Sequence, residues 1–387
     1  MMKKRLGEIA SFRRGLTYSK GDEAPSSSKR VLRSNNIDLE SSSLDLSEIK
    51  YLRDDFIIPE DRRLKANTIF ICMSNGSKQH VGKVAFIEKD LDYAFGGFMG
   101  LIVPSTEVSA KYVFYACKSS AYRFFLSQVG NGIGITNLRF SDLEKFEIPV
   151  PSLSEQQRIV AELDLLSGIV EKKNAQLRTL DELAQSIFTE MFGDPISNDR
   201  GWDFKRLDEV AEIIGGATPK TQVEEYWIGD NYWVTPAELH KDRYQGSTER
   251  TISDEAVRKT NVTLLPVGTV LLSSRAPIGK VAITTVPMYC NQGFKNLVCS
   301  ECLNNEYAFQ VLYSNTEYLN SLGTGATFKE ISKKTTEAIM IAIPPIRLQE
   351  EFAQKARMIE KEKELIKSSL KEGKDLLASR MDKYFNE

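Results

Sequence analysis

Short apolar blocks and long polar-apolar runs alternate along this chain. "TIFICM" (Thr68–Met73) and "TVLLSS" (Thr269–Ser274) are apolar, rich in β-branched residues and bounded by turn formers, so they predict buried strands. "GKVAFI" (Gly82–Ile87) and "GKVAIT" (Gly279–Thr284) each follow a glycine turn and predict strands too. "YVFYACKSSAYRFFLSQ" (Tyr112–Gln128) spaces Tyr112, Tyr115, Tyr122 and Phe125 as a helix would. These parts of the chain predict mixed α/β globular heads.

The other pattern is a long helix, written twice. From Ser152 to Phe192 there is no proline, and Pro151 and Pro195 fence the stretch. Ser152 with Glu155 fits a capping box, in which hydroxyl and carboxylate satisfy free amides of the first turn. Gly193-Asp194-Pro195 supplies a stop. Inside, Leu163, Leu166, Val170, Lys173, Leu177, Leu180, Ala184, Ile187 and Met191 step by three and four, a heptad seam with one polar break at Lys173. The second run repeats the step through Ile359, Lys363, Ile366, Leu370, Gly373, Leu377, Arg380 and Tyr384, with Arg347 taking the place of the Ser152 cap. Some 40 helical residues span about 60 Å, and so long a seam needs a partner helix. The other copy is the natural partner, and a duplicated chain of approximate two-fold symmetry predicts an antiparallel pair.

Duplication runs through the whole chain. "KRLGEIASFRRGLT" (Lys4–Thr17) matches "KRLDEVAEIIGGAT" (Lys205–Thr218), and "NTIFICMS" (Asn67–Ser74) matches "GTVLLSSR" (Gly268–Arg275) in the same register. "GGFMGLIV" (Gly96–Val103) pairs with "QGFKNLVC" (Gln292–Cys299), setting Phe98 against Phe294, both read as core. "YVFYACKSS" (Tyr112–Ser120) pairs with "YAFQVLYSN" (Tyr307–Asn315), and "GNGIGITNL" (Gly130–Leu138) loosely with "GTGATFKEI" (Gly323–Ile331). Last come Ile148-Pro149 and Ile343-Pro344, each followed by Leu-x-Glu and a long helix. A repeat of about 195 residues is far longer than a solenoid unit of roughly 20–50. The fold class expected is α+β, two similar mixed α/β heads separated by two long helices that form an antiparallel coiled coil. The expected segments are head 1–150, helix 151–194, head 195–344 and helix 345–387.

Composition adds boundaries rather than a function. The 387 residues are 27% charged with a net charge of −2. No apolar run approaches the roughly 18 residues a membrane span needs, and the basic start lacks a signal peptide's apolar stretch. Five scattered cysteines make no disulfide framework. A cytoplasmic protein without membrane association is expected. The first head is mildly basic and the first long helix acidic, which is compatible with nucleic acid without demanding it.

The order of head, "IPVPSLSEQQRI" (Ile148–Ile159), "FGDP" (Phe192–Pro195), "GW" (Gly201–Trp202), second head and second Ile-Pro helix resembles the specificity subunit of type I restriction-modification systems. "KRLDEVAEIIGGATP", "YWVTPAEL" (Tyr232–Leu239) and "GATFKEIS" (Gly325–Ser332) look like that family's target-recognition domains. The resemblance covers essentially the whole chain. It implies that each head reads one half of a bipartite site in double-stranded DNA. The coiled coil would set their spacing and dock methyltransferase subunits, two per chain by symmetry, with half-sites roughly one helical turn apart. S-adenosylmethionine would be bound by the partner methyltransferase, and a restriction/translocase subunit would complete the complex. This chain would carry no chemistry and no cofactor of its own.

The residues agree with a non-enzyme. No Asn/Asp-Pro-Pro-Tyr/Phe tetrapeptide, cofactor glycine turn or phosphate loop occurs. His80 and His240 stand alone, and Cys299 with Cys302 is a single pair, too few for zinc. Base reading needs exposed Asn, Gln, Arg, Lys and hydroxyl groups. The candidates are Arg33, Asn35, Asn36, Ser77, Lys78 and Gln79 in the first head. Those in the second are Thr235, Lys241, Arg243, Arg275, Lys329, Lys333 and Lys334. A DNA-free adaptor with two peptide-binding heads on a coiled-coil strut is the alternative that charge alone would favour.

Overall fold

The computed structural model describes residues 2–129, 137–240, 242–275, 277–325 and 329–386. The Gly130–Thr136 and Ala326–Phe328 parts of the loosest repeat match, and Lys241, lie outside the described residues. Two compact units emerge, residues 1–175 with 368–387, and residues 176–367. Each contains one head and half of each long helix.

In the first unit, a four-stranded antiparallel sheet runs in the order Ala10–Arg14, Met99–Pro104, Thr68–Cys72, Val84–Ile87. "TIFIC" is buried at every position, as a strand covered on both faces must be. A second, mixed sheet orders Glu23–Ala24, Lys50–Leu52, Lys29–Leu32, Leu91–Phe95 and Arg63–Leu64, with Val31 parallel to Ala94. The helices Ala110–Ala116 and Ser120–Val129 supply Tyr112, Val113 and Tyr122 to the main core. Gly82 takes φ +82° at the turn before Val84–Ile87, a conformation that favours glycine.

The second unit repeats this plan. Ala211–Gly215, Lys295–Cys299, Val270–Leu272 and Val281–Thr284 form the equivalent sheet, and Gly279 makes the equivalent turn at φ +90°. One strand is new: Tyr244–Gln245 joins the edge, parallel to Val281–Thr284. Asn231–Val234 lies parallel to Tyr289–Cys290, as Lys29–Leu32 does to Leu91–Phe95.

The long helices run Leu153–Phe192 and Ile346–Phe385, 40 residues each. In the first unit Glu162 accepts from the Tyr384 hydroxyl at 2.6 Å and pairs with Arg380 at 3.1 Å, and Gly373 faces Val170. In the second, Lys363 pairs with Asp181 at 2.7 Å, and Phe352 packs on Phe188 at 5.2 Å between ring centroids. Early residues of one helix therefore meet late residues of the other, an antiparallel pairing in both units. The seam residues Leu163, Ala184, Ile359, Leu370 and Tyr384 are buried. Leu166, Val170, Leu177, Leu180, Ile187, Met191, Ile366 and Leu377 are half-buried, as expected of a two-helix seam with open flanks.

Hydrogen bonds correct the register of the repeat. Gln156 Nε2 donates to the Pro151 carbonyl (2.9 Å) while its Oε1 accepts from Ser109 N (2.9 Å). Gln349 does the same with Pro344 (2.7 Å) and Asn304 N (2.8 Å). Pro151 is thus the counterpart of Pro344, and Leu153 pairs with Ile346, where the sequence match had Leu348. The Ile-Pro dipeptides are a coincidence of spelling. The Ser152 position is filled by Pro345 rather than Arg347, and the capping box is half made. The Ser152 hydroxyl accepts from Glu155 N at 3.4 Å, but the Glu155 carboxylate turns to Arg158.

Candidate nucleic-acid interface

The segments that follow the strands of the first head are laced into one rim. Gly96 N donates to Leu32 O, Gly15 N to Met99 O, and Met73 N to Phe98 O. Loop 33–36 is tied to loop 74–80 by Asn75 Nδ2 donating to Ser34 Oγ at 2.9 Å. Lys83 reaches back to the Ile37 carbonyl at 2.6 Å, and burial holds its ammonium below the usual lysine range. The equivalent Lys280 binds the Pro236 carbonyl at 2.9 Å. Both lysines of the Gly-Lys repeats therefore brace loops.

This rim gathers most of the candidates of the first head. Asn35, Ser77, Lys78 and Gln79 are exposed on it, and half-buried Arg33 pairs with Glu48 at 3.5 Å. Asn36 is different. It is 1% exposed, where an exposed group was expected, and its amide donates to the carbonyls of Asp45 and Glu48, so it shapes the loop. In the second head, half-buried Arg275 bridges to Glu330 through the backbone. Lys329, Lys333 and Lys334 stand exposed on the stretch beyond it, Lys333 beside Glu337 at 3.8 Å. Thr235 spends its hydroxyl on Glu238 at 3.0 Å.

Arg243 is a correction. It is 4% exposed, with Nη1 3.2 Å from Glu306, Nη2 donating to Gln310 at 2.6 Å and Nε 3.6 Å from Glu360. Its guanidinium also lies over the Phe309 ring at 4.2 Å. It precedes the added edge strand and lies between head and long helix, buried where it was expected on an exposed loop. Its acidic partners are distant in sequence, so nothing in "HKDRY" announces them.

Sheet pairings fix which residues of the two heads correspond. Ile69 faces Ile102 as Val270 faces Leu297, and Cys72 faces Met99 as Ser273 faces Phe294. Met99 is therefore the counterpart of Phe294, and both are buried. Phe98, read from sequence as core, is 72% exposed, and its counterpart is Gly293. The same logic pairs Arg14 with Gly215, Ser74 with Arg275 and Asn137 with Glu330. Around Phe98 lies a pocket of about 300 Å³ whose lining includes Arg14, Ser74, Asn137 and Arg139. None of these four was a sequence candidate. The only available signal was the unmatched chemistry at equivalent positions, and that needs the correct register.

Among the described residues, no group of three or more His, Cys, Asp or Glu could hold a metal. Burial pushes the thiols of Cys72 to about 11 and Cys290 and Cys299 to about 12, so they stay protonated at neutral pH. No described helix is long and apolar enough to cross a membrane.

Fold and rim define a duplicated head-and-helix protein whose two heads share a scaffold and differ at its edge. Residues 1–179 and 199–372 match the type I restriction modification DNA specificity domain, and the chain belongs to that family. It is 37% identical over 158 residues to the type I restriction enzyme MjaIX specificity subunit of Methanocaldococcus jannaschii, covering 40% of this chain and 37% of that one. Against the putative MjaX specificity subunit of the same organism it is 24% identical over 373 residues, covering 88% and 84%. The chain thus spans little more than a third of the first relative and most of the second. The crystal structure of a type I restriction-modification system S subunit from M. genitalium shares the fold, with TM-score 0.59 and 15% identity over 99% and 96% of the two chains.

Proposed function

We propose that this chain is the DNA-reading subunit of a type I restriction-modification complex and performs no catalysis itself. Residues 1–150 and 195–344 act as its two target-recognition domains, each reading one half of a bipartite site in double-stranded DNA. The observation that carries this reading is the pairing of a common scaffold with divergent rim residues. Arg14, Ser74, Phe98 and Asn137 in one head answer to Gly215, Arg275, Gly293 and Glu330 in the other. Two heads that differ at their edges while keeping their frames suit two different half-sites.

The partners that fit are methyltransferase subunits, which would hold the S-adenosylmethionine, and a restriction/translocase subunit. Exposed apolar residues recur at equivalent places on the long helices. Leu165 (66% exposed) answers to Met358 (72%), and Leu183 (44%) to Leu376 (46%). The first unit carries Leu165 and Leu376, the second Met358 and Leu183, which supports one methyltransferase docking on each unit. An adenine-methylation map of the host genome with and without the gene tests the function. Loss of methylation at one split motif is expected. Unchanged methylation together with no salt-dependent DNA binding by the purified complex would sink it.

A further inference from the structure

Phe98 is the rim residue that packing leaves without a purpose. Its neighbour Met99 is 1% exposed, whereas the Phe98 ring is 72% exposed at the mouth of the first head's pocket. Leaving a phenyl ring in water forgoes burial free energy that a partner could recover. Arg14 and Arg139 flank it, both exposed, and among the described residues neither pairs with a carboxylate. Two arginines and no acid line this pocket, a setting that suits an anionic partner such as a nucleic-acid backbone.

The second head shows what the place is for. There Gly293 replaces Phe98, and a Cβ on Gly293 would stand 3.3 Å from Arg275 Nε and 3.1 Å from Pro236 Cγ. Arg275 replaces the small Ser74. One head thus sets a large ring beside a small serine, and the other sets a large guanidinium beside a glycine. The same niche is filled from opposite sides by groups of opposite chemistry. Frame residues do not explain the exchange, because Met99 and Phe294 are buried alike.

We propose that Phe98 is a specificity-determining residue of the first head, making apolar contact with base pairs of its half-site. Arg14 and Arg139 meet the adjoining phosphates. Arg275 occupies the matching niche in the second head, where a planar guanidinium suits the acceptor pair of a guanine edge. A ring in this position meets a thymine methyl or leans into a base step, and it displaces no counterions. The assignment rests on the DNA-reading function proposed above.

The test uses full-length chain in its host, as wild type, Phe98→Ala, Phe98→Leu and Arg139→Ala, with methylation maps for each. The purified complexes are then titrated over a salt series with a duplex carrying the wild-type motif. Exchanging residues 195–344 identifies the second head's half-site, and the remaining half belongs to the first. F98A is expected to lower methylation about tenfold, the scale of one lost base contact, or to relax one base of the first half-site only. F98L should fall between F98A and wild type. F98A should keep both its thermal midpoint and its salt slope, whereas R139A should reduce the slope by about 0.9 without changing the motif. The proposal is overturned if F98A methylates the same motif at the wild-type level, if the second half-site relaxes instead, or if activity and thermal midpoint fall together. If wild type itself supports no split-motif methylation and no salt-dependent binding, the DNA-reading function fails, and the role of Phe98 with it.

Discussion

Replacing Arg243 by methionine separates a structural arginine from a DNA contact. The side chain is 4% exposed and engages Glu306, Gln310 and Glu360. Methionine keeps the stem over Phe309 and deletes the charge. Removing one partner from a buried ion pair costs about 3–5 kcal/mol, because the other charge is left without compensation. Here the carboxylates are not abandoned entirely. Glu306 keeps the Tyr244 hydroxyl at 2.7 Å and Arg357 at 3.8 Å, and Glu360 keeps Lys363 at 2.8 Å. The lower end, about 3 kcal/mol, is therefore expected. For a unit of this size each kcal/mol moves the midpoint by roughly 2–4 °C, so the second unit should melt about 6–12 °C earlier. Calorimetry of the purified chain reads this directly. Adding Glu306→Gln to Arg243→Met removes the stranded charge while keeping an acceptor for Tyr244, and should recover part of the loss. An R243M chain that melts like wild type while its complex loses salt dependence on DNA would refute the burial and restore Arg243 as a phosphate contact.

Other outcomes follow from the same structure. Gln349→Leu should destabilise the second unit by about 1–3 kcal/mol in urea titrations, because it strands the half-buried Asn304 N and the buried Pro344 carbonyl. Gln156→Leu should do the same in the first unit. Leu183→Glu with Met358→Glu should cut the methyltransferase stoichiometry from two to one in native mass spectra, and a ratio of two would remove those side chains from the docking face. Exchanging residues 195–344 for another head should change one half of the methylated motif and leave the other intact.

Much of the architecture was written locally. Strands such as "TIFIC" and the steps of three and four from Leu163 to Met191 depend on neighbours in sequence, and the chain folds as those neighbours direct. The register of the repeat was not local. Letter identity aligned Phe98 with Phe294 and Leu153 with Leu348, whereas sheet pairing and the two glutamine clamps align Met99 and Ile346 instead. Burial of polar groups was equally hidden. Asn36 is held by carbonyls of Asp45 and Glu48, and Arg243 by Glu306 and Glu360, partners that only the tertiary fold brings near. Residue type suggested the reading loops at 33–36 and 74–80, but it passed over Arg14 and Arg139, which are ordinary arginines until the pocket unites them.

The division of each long helix between two units sets an order of events during synthesis. The second unit has all its residues once position 367 has left the ribosome. The first unit, although its head is translated first, must wait for Met381, Tyr384 and Phe385, which close its core over Tyr112, Ile159 and Leu163. Through translation of the whole second head, the first stands with that apolar wall uncovered, open to chaperones and to other nascent chains. A frameshift or nonsense codon after position 367 would spare the head made last and cripple the head made first.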